Sequence, residues 1–269
     1  MRFDGKVAVV TGGASGIGRS TAELLAERGA SVAVLDVNET QGETLVSRIR
    51  VGESRALFLR TNVADAEEVE RAVSQVFDRW KRLDVLVASA GVQRYGTALT
   101  TSDDTWNEVM AINLNGAWHA ARTCIPYMQE TGGSIVNVAS VQSLASQNNV
   151  CAYAVSKHGL IGLTRSMAID FAPKRIRVNA VCPGTVDTPM LGWAASLDPD
   201  PASVLRSCAE MHVLGRIGRP EEIAEVIVFL AHEHSSFVTG AVWTVDGGLL
   251  SRIGGAPQIG TVQSGEIPG

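Results

Sequence analysis

The sequence is poor in the features that define several classes of protein. Only 4 of its 269 residues are cysteine, and Cys124, Cys151, Cys182 and Cys208 lack the CxxC or metal-ligand spacing of a metal site. Such scattered cysteines are typical of reduced, buried thiols, so we expect a cytoplasmic protein without a metal. No apolar run reaches the roughly 20 residues needed to span a bilayer. The start, MRFDGKVAVVTGG, lacks the apolar core of a signal peptide. We therefore expect no membrane partner.

Excess positive charge is also missing. The chain has 23 lysines and arginines against 28 aspartates and glutamates, a formal net charge of −5. Because binding to a phosphate backbone requires a basic face, we expect no nucleic-acid partner. Hydrophobic residues make up 45% of the chain, so a chain of this length can bury a sizeable core.

Short valine-rich runs recur along the chain and are continuous, as in strands buried on both faces. Stretches with helical spacing, such as residues 66–80, lie between them. This alternation predicts an α/β fold: a doubly wound, seven-stranded parallel sheet of the Rossmann type, with helices on both faces, in a single domain over residues 1–250. The predicted strands are residues 6–11, 31–36, 55–60, 84–89, 134–140, 175–182 and 241–247.

Two segments depart from this alternation. Residues 187–214 are long for a turn and contain two Asp-Pro pairs, which favours a mobile lid over a substrate site. The alternative is a surface excursion without function. Residues 251–269 form a glycine-rich polar tail, which we expect to be ordered only if it docks. One hypothesis is that Arg252 or Gln258 of this tail caps a pocket in the same or a neighbouring subunit.

The first candidate site is a glycine-rich turn between a predicted strand and a predicted helix. Gly12, Gly16 and Gly18 form a G-x-x-x-G-x-G pattern. Glycines permit a tight turn and let backbone N–H groups approach a pyrophosphate at the positive end of the helix. A glycine pattern alone is weak, but strand, turn, helix and a later acidic residue together predict a dinucleotide site.

That acidic residue is Asp36, at the end of the second predicted strand. A carboxylate there can accept both ribose hydroxyls of the adenosine half and repels a 2′-phosphate. No arginine follows in DVNET (36–40), and none precedes Arg19 in the turn. We therefore predict NAD as the cofactor. The alternative for Asp36 is an ordinary turn or helix-capping aspartate.

The second candidate site lies in SVQSLASQNNVCAYAVSKHG (140–159). Ser140 ends the fifth predicted strand, and Tyr153 and Lys157 share one face of the next helix because they are four residues apart. An ammonium and an oxidised nicotinamide nearby would lower the tyrosine pKa, so that the phenolate takes the proton of an alcohol. Ser140 would hold the substrate oxygen. Y-x-x-x-K alone occurs often by chance, and the conjunction with the dinucleotide turn carries the prediction.

These motifs, together with NLNG (113–116), PGTVDT (183–188) and VDGG (245–248), resemble those of the short-chain dehydrogenase/reductase family, over nearly all of residues 3–250. The resemblance implies that Asn113 completes a catalytic tetrad with Ser140, Tyr153 and Lys157. Asn113 would bend its helix and hold a water that connects Lys157 to solvent. It also implies a homotetramer, assembled through the helices that contain Asn113 and Tyr153 and through the last strand.

Turn, strand-end and family motifs together give a set of expected cofactor residues. The resemblance implies that backbone groups of Pro183, Gly184 and Val186 and the hydroxyl of Thr188 hold the nicotinamide amide. Two positions depart from the family: residues 88–91 read ASAG where N-N-A-G is usual, and Asn62 precedes Val63 where an aspartate is usual. The expected cofactor residues are Gly12, Ser15, Gly16, Ile17, Gly18, Asp36, Val37, Asn62, Val63, Ser89, Ala90, Gly91, Tyr153, Lys157, Pro183, Gly184, Val186 and Thr188.

The expected substrate residues are mostly polar: Arg94, Ser140, Gln142, Gln147, Tyr153 and Trp193, with Gln93 and Asn148 beside them. This set favours a sugar, a sugar acid such as a keto-deoxy acid, or a polyol, with Arg94 binding a carboxylate in bidentate fashion. Two alternatives stay open. One is a carbonyl reductase of a hydrophobic ketone, steroid or 3-oxoacyl thioester, and the other is a non-catalytic NAD sensor.

Overall fold

The computed structural model describes residues 1–49 and 55–251. Strands and helices alternate along the chain. The strands are β1 (Val7–Thr11), β2 (Ser31–Asp36), β3 (Arg55–Arg60), β4 (Val85–Ala88), β5 (Gly133–Val138), β6 (Ile176–Pro183) and β7 (Val242–Val245). The α-helices are α1 (Gly16–Glu27), α2 (Glu39–Ile49), α3 (Ala66–Trp80), α4 (Asp103–Met110), α5 (Gly116–Met128), α6 (Cys151–Phe171), α7 (Pro189–Ala195), α8 (Pro201–Met211) and α9 (Pro220–Ala231).

The seven strands form one parallel sheet in the order β3-β2-β1-β4-β5-β6-β7. The predicted fold and all seven predicted strands are confirmed. The chain moves outward from β1 to β3 and then returns to the other side of β1 at β4. A crevice therefore opens at the carboxyl ends of β1 and β4, which is where open α/β sheets bind ligands.

Both faces of the sheet are buried, and β1 shows why its sequence does not alternate in polarity. Val7 and Val9 pack in the core shared with α3, α5 and part of α6, whereas Ala8 and Val10 pack in the core shared with α1, α2 and α9. Each face must exclude water, so every position of β1 is apolar except its last, Thr11.

Boundaries follow from capping and glycine geometry. Asp65 caps α3 by accepting hydrogen bonds from the backbone N–H groups of Glu67 and Glu68, so this helix begins where the sequence predicts. Strand β7 ends at Val245, two residues earlier than predicted, because Gly247 and Gly248 have φ values of 55° and 82° and turn the chain away.

The predicted lid segment, residues 187–214, contains helices α7 and α8 rather than an irregular loop. The Thr188 side chain caps α7 and the Asp200 side chain caps α8, with Pro201 at the first helical position. One of the two Asp-Pro pairs is therefore a helix start. Residues 252–269, including Arg252 and Gln258, lie outside the described residues. Among the helices described, none is long and apolar enough to cross a membrane.

Candidate active site

In the turn after β1, two glycines lie where a Cβ atom would overlap neighbouring backbone. Gly12 has a φ of 62°, and a Cβ on it would lie 2.6 Å from the Cα atom of Ala90. A Cβ on Gly18 would overlap the carbonyl oxygen of Gly12. Gly18 therefore serves the packing of α1 against the turn, whereas Gly12 and Gly16 line the main cavity. The turn presents backbone, not side chains, at the start of α1, as a pyrophosphate requires.

Asp36 ends β2 and lines the same cavity. Its Oδ2 atom accepts a hydrogen bond from the backbone N–H of Ala14 at 3.0 Å, and its Oδ1 atom accepts one from Asn38 at 2.9 Å. These bonds fix the carboxylate against the glycine turn. Each oxygen keeps a lone pair for a further donor, so the residue fits the two hydroxyls of a ribose.

The two positions where the sequence departs from the family pattern, Asn62 and Ser89, are each held by local hydrogen bonds. The Asn62 side-chain oxygen accepts from the Ala64 backbone N–H at 3.1 Å, which forms a local turn. At the loop after β4, the Thr11 hydroxyl accepts from the backbone N–H groups of Ser89 and Ala90 at 3.2 and 3.4 Å. Thr11 thus ties that loop to β1, a role that the sequence analysis missed.

The structure brings Ser140, Tyr153 and Lys157 together at the carboxyl end of β5. The Ser140 hydroxyl accepts from the backbone N–H of Gln142 at 3.1 Å, and Ser140 lies close enough to Tyr153 to lower the pKa of its phenol. The Lys157 ammonium lies 5.6 Å from the centroid of the Tyr153 ring and donates to the Val138 carbonyl at 2.9 Å. All three side chains are buried.

Asn113 lies in a π-helical turn, Ala111–Asn115, between α4 and α5. Its side-chain oxygen accepts from the Val92 backbone N–H at 2.8 Å, and its amide donates to the Val92 carbonyl at 2.9 Å and to the Ser156 hydroxyl at 3.1 Å. Ser156 in turn donates to the Tyr153 carbonyl at 2.7 Å. Asn113 does not line the cavity. Its side chain joins the loop after β4 to α6, through a serine that sequence reasoning passed over.

Burial dominates the titration of the tyrosine and the lysine. Desolvation raises the pKa of Tyr153 to about 12, against a smaller lowering by the hydrogen bond from Ser140. Desolvation also lowers the pKa of Lys157 to about 8. Both groups are withdrawn from water in the protein by itself. The lowering of the Tyr153 pKa by the ammonium and an oxidised nicotinamide together stays a prediction.

One cavity of about 890 Å³ runs from the glycine turn and Asp36, past Tyr153, to Trp193 of α7. It is long enough to hold a dinucleotide beside a small molecule. Of the predicted cofactor and substrate residues, all line it except Gly18; Asn148 also lies outside its lining.

Arg94 lines the cavity but is not a free cation. Its Nε and Nη2 atoms donate to the two carboxylate oxygens of Glu108 on α4 at 2.9 and 2.6 Å, and its Nη1 atom donates to the Gln93 carbonyl. Glu108 thus occupies one bidentate face of the guanidinium, and binding of a substrate carboxylate by Arg94 stays a prediction. The guanidinium also lies 5.7 Å from the Trp193 ring centroid.

The cavity wall beyond Tyr153 is more apolar than the sequence predicts. Tyr95 stacks on Trp193 at a ring distance of 5.9 Å. Apolar residues that the sequence analysis did not assign complete this wall: Val141, Ala145, Leu191, Val204, Met211 and Leu250. The polar reading of the pocket is therefore incomplete, since Gln142 and Gln147 face a cavity with a large apolar share.

A family model described as enoyl-(acyl carrier protein) reductase, one of the short-chain dehydrogenase/reductase models, matches residues 12–250. The chain belongs to the short-chain dehydrogenase/reductase family. Members of this family bind a nicotinamide cofactor on the Rossmann fold and oxidise alcohols or reduce ketones, so the protein is an oxidoreductase of that kind.

Three relatives within this family show its range of substrates. The chain is 43% identical to the cis-4-hydroxycyclohexanecarboxylate dehydrogenase of Sinomonas cyclohexanicum, over 91% of this chain and 97% of that protein. It is 38% identical to a 3-oxoacyl-(acyl-carrier-protein) reductase of Thermotoga maritima, over 93% of this chain and all of that protein. The ligand-free structure of the Thermoplasma acidophilum aldohexose dehydrogenase matches with a TM-score of 0.86 at 36% identity, over 96% of this chain and 98% of that one.

Proposed function

We propose that this short-chain dehydrogenase/reductase uses NAD to interconvert a secondary alcohol and its ketone on a small, uncharged ring compound. One observation carries the proposal. The buried cluster of Ser140, Tyr153 and Lys157 lies on the wall of the same cavity that Asp36 and the glycine turn line at its other end. An alcohol oxygen at the Tyr153 hydroxyl would therefore share a water-poor chamber with the cofactor.

The catalytic roles follow from the contacts of each side chain. Tyr153 takes the hydroxyl proton of the alcohol at its phenolic oxygen, and Ser140 holds the substrate oxygen by a hydrogen bond. Lys157 lies behind the ring and is anchored to Val138. When bound, an oxidised nicotinamide supplies the hydride acceptor and a positive charge that favours the phenolate. Asn113 keeps the loop at Val92 in place against α6.

The preference for NAD rests on Asp36, whose carboxylate is fixed in the position that a 2′-phosphate would approach. Arg19 and Arg48 line a second, smaller cavity on the far side of Ser15 and Gly16. Arg19 is already paired with Glu23 at 3.1 Å. In Asp36→Ala, the kcat/KM with NAD divided by the kcat/KM with NADP should therefore fall about tenfold or more. The substitution removes the repulsion between the carboxylate and the 2′-phosphate. A wild-type preference for NADP would contradict this assignment.

For the substrate, we favour a cyclic sugar or polyol. The stacked Tyr95 and Trp193 rings offer a surface for the apolar face of a ring, while Gln142 and Gln147 offer hydrogen bonds to hydroxyls. The aliphatic residues Val204 and Met211 favour a second candidate, an alicyclic alcohol with few hydroxyls. A charged sugar acid ranks below both, because Arg94 is already paired with Glu108.

The deciding experiment measures NADH formation with a panel of aldoses, polyols, cyclohexanol and cyclohexanediols, and NADH consumption with a 3-oxoacyl thioester. Tyr153→Phe should lower kcat about 10³-fold, because it removes the proton acceptor, and should leave the NADH dissociation constant within a factor of about 2 of the wild type. Unchanged turnover in Tyr153→Phe would exclude the mechanism, and NAD binding without turnover of any alcohol would favour a sensor.

The tetramer expected from the family is also retained as a proposal. Large apolar side chains are exposed on the elements named for that assembly: Trp118 on α5, Val155 and Ile169 on α6, and Trp243 on β7. Burial of such a patch between subunits would remove it from water. Light scattering of the purified protein measures the number of subunits directly, and a monomer mass would overturn the assignment.

A further inference from the structure

His212 immediately follows the last residue of α8, is 3% exposed, and takes no part in the chemistry described above. Its Nδ1 atom lies 2.7 Å from the carbonyl oxygen of Cys208, one turn earlier in the same helix. Its Nε2 atom lies 3.1 Å from the backbone nitrogen of Thr185, in the loop that follows β6. A histidine at the end of a lid helix thus reaches a loop on the cofactor side of the cavity.

These two contacts fix how the ring carries its proton. The Thr185 backbone N–H can only donate, so Nε2 must be the acceptor. The Cys208 carbonyl can only accept, so Nδ1 must carry the hydrogen. The ring is therefore a neutral imidazole with its proton on Nδ1, a connector that gives one hydrogen bond and receives one.

The loop that His212 holds is the one assigned to the nicotinamide amide. Thr185 lies between Gly184 and Val186, and all three line the cavity. The fit is close, since a Cβ on Gly184 would lie 2.7 Å from His212 Nε2. His212 therefore both packs against this loop and accepts a hydrogen bond from it.

The same face of α8 lines the substrate end of the cavity through Val204, Cys208 and Met211. His212 is thus the point where one helix contacts both halves of the site. If α8 shifts, the Thr185 hydrogen bond must stretch, and the loop loses a partner for a partly buried N–H. An unpaired buried donor is costly, so the position of the loop and that of the helix are coupled.

We infer that His212 is a positioning residue that couples the lid helix α8 to the nicotinamide-binding loop, by accepting the Thr185 backbone hydrogen bond. This inference rests on the proposed function, because it takes residues 183–188 as part of the cofactor site. His212 does not line the cavity, so it acts only through Thr185 and the cavity wall.

The test compares two amides of different reach at this position. In His212→Gln the side-chain oxygen can reach the place of Nε2 and accept from Thr185. In His212→Asn the amide can reach only the place of Nδ1 and leaves Thr185 unpaired. We expect the NADH dissociation constant, measured by NADH fluorescence, to stay within about twofold of the wild type for Gln and to rise about tenfold for Asn, the loss of roughly one hydrogen bond.

A second readout does not depend on the cofactor. Amide hydrogen exchange of a peptide that covers residues 183–188 should be faster in His212→Asn than in His212→Gln or the wild type, because the Thr185 N–H has lost its acceptor. His234→Asn is the matched control: His234 is exposed, and it does not line the cavity. It should change neither the exchange rate of this peptide nor the NADH dissociation constant.

Equal NADH affinity and equal exchange in His212→Gln and His212→Asn would overturn the inference, whether both resemble the wild type or both are impaired. In the first case the bond does not matter, and in the second the ring serves packing alone. If one of the two variants unfolds, the amide exchange rate at residues 183–188 of the other variant is compared with that of the wild type, and this comparison still tests the inference. A wild-type protein that binds no NADH would instead refute the proposed function, since exchange tests the His212 contact independently.

Discussion

The two ends of the cavity are built in different ways. At the cofactor end, Gly12 and Asp36 are held by backbone hydrogen bonds to Leu35, Ala14 and Asn38. At the substrate end, the wall consists of side chains from segments that are distant in sequence, such as Tyr95 in the loop after β4 against Trp193 of α7. A site made of backbone has little freedom to vary, whereas a wall of side chains can change without disturbing the fold. The cofactor end should therefore tolerate fewer substitutions than the substrate end.

The largest effect is expected when the same substitution is made at both ends. Gly12→Ala places a Cβ against the Ala90 backbone at a residue with a φ of 62°. We expect a loss of about 2–4 kcal/mol in the free energy of unfolding, from strain and overlap together, and at least a 100-fold weaker NADH affinity. Urea unfolding and NADH fluorescence measure the two quantities.

Gly192→Ala in α7 is the matched control for that prediction. A Cβ on Gly192 has no atom within 4 Å, and the residue is exposed in a helix. Alanine should therefore raise the free energy of unfolding by about 0.5–1 kcal/mol. If both alanines were tolerated equally, the contrast between the two ends of the cavity would fail.

Lys157 lies between the two ends of the cavity. We expect its buried charge to serve activity while it lowers the free energy of unfolding. Its folded pKa of about 8 is below its ordinary value of 10.5. Below pH 8 both the folded and unfolded chains carry the charge, and burial of that charge destabilises the folded state. As the pH rises from 8 to 10.5 the folded chain loses the charge first, so this penalty disappears.

Lys157→Met should accordingly raise the free energy of unfolding at pH 7 by about 1–3 kcal/mol while abolishing activity. The gain should shrink at pH 9.5, where the folded chain has lost most of the Lys157 charge while Tyr153, with a folded pKa of about 12, is still protonated in it. Urea unfolding at the two pH values tests this, with exposed Lys174→Met as the control. A lower stability of Lys157→Met at pH 7 would mean that the bond from Lys157 to Val138 outweighs the cost of burial.

The same contrast between the two ends of the cavity explains which parts of the structure could be predicted from the sequence. The cofactor end follows a local pattern of strand, glycine turn, helix and strand-end aspartate. Gly12, Gly16 and Asp36 line the cavity, whereas Gly18 packs α1 against the turn. The seven strands were also predictable, because burial on both faces leaves continuous apolar runs. Only the ends differed, as at β7, where the left-handed conformations of Gly247 and Gly248 stop the strand.

The substrate end could not be predicted in this way, because its contacts join residues without a shared local pattern. The pairing of Arg94 with Glu108 spans 14 residues and two elements, so the sequence showed an arginine without its partner. In the sequence, Val204 and Met211 look like ordinary apolar positions of an amphipathic helix and do not stand out as cavity residues. The pKa of Tyr153 also depends on burial, which spacing along a helix does not reveal.

The smallest effect is expected at the substrate end itself. Trp193→Ala removes the ring that stacks on Tyr95 and lies beside the Arg94 guanidinium. We expect KM for the alcohol to rise about 3- to 10-fold, the value of one aromatic contact, with the NADH dissociation constant unchanged. Leu197→Ala is the control, since Leu197 is exposed in the same segment and does not line the cavity. A weaker NADH affinity in Trp193→Ala would mean that α7 supports the cofactor end of the cavity as well, in addition to the contact proposed for α8.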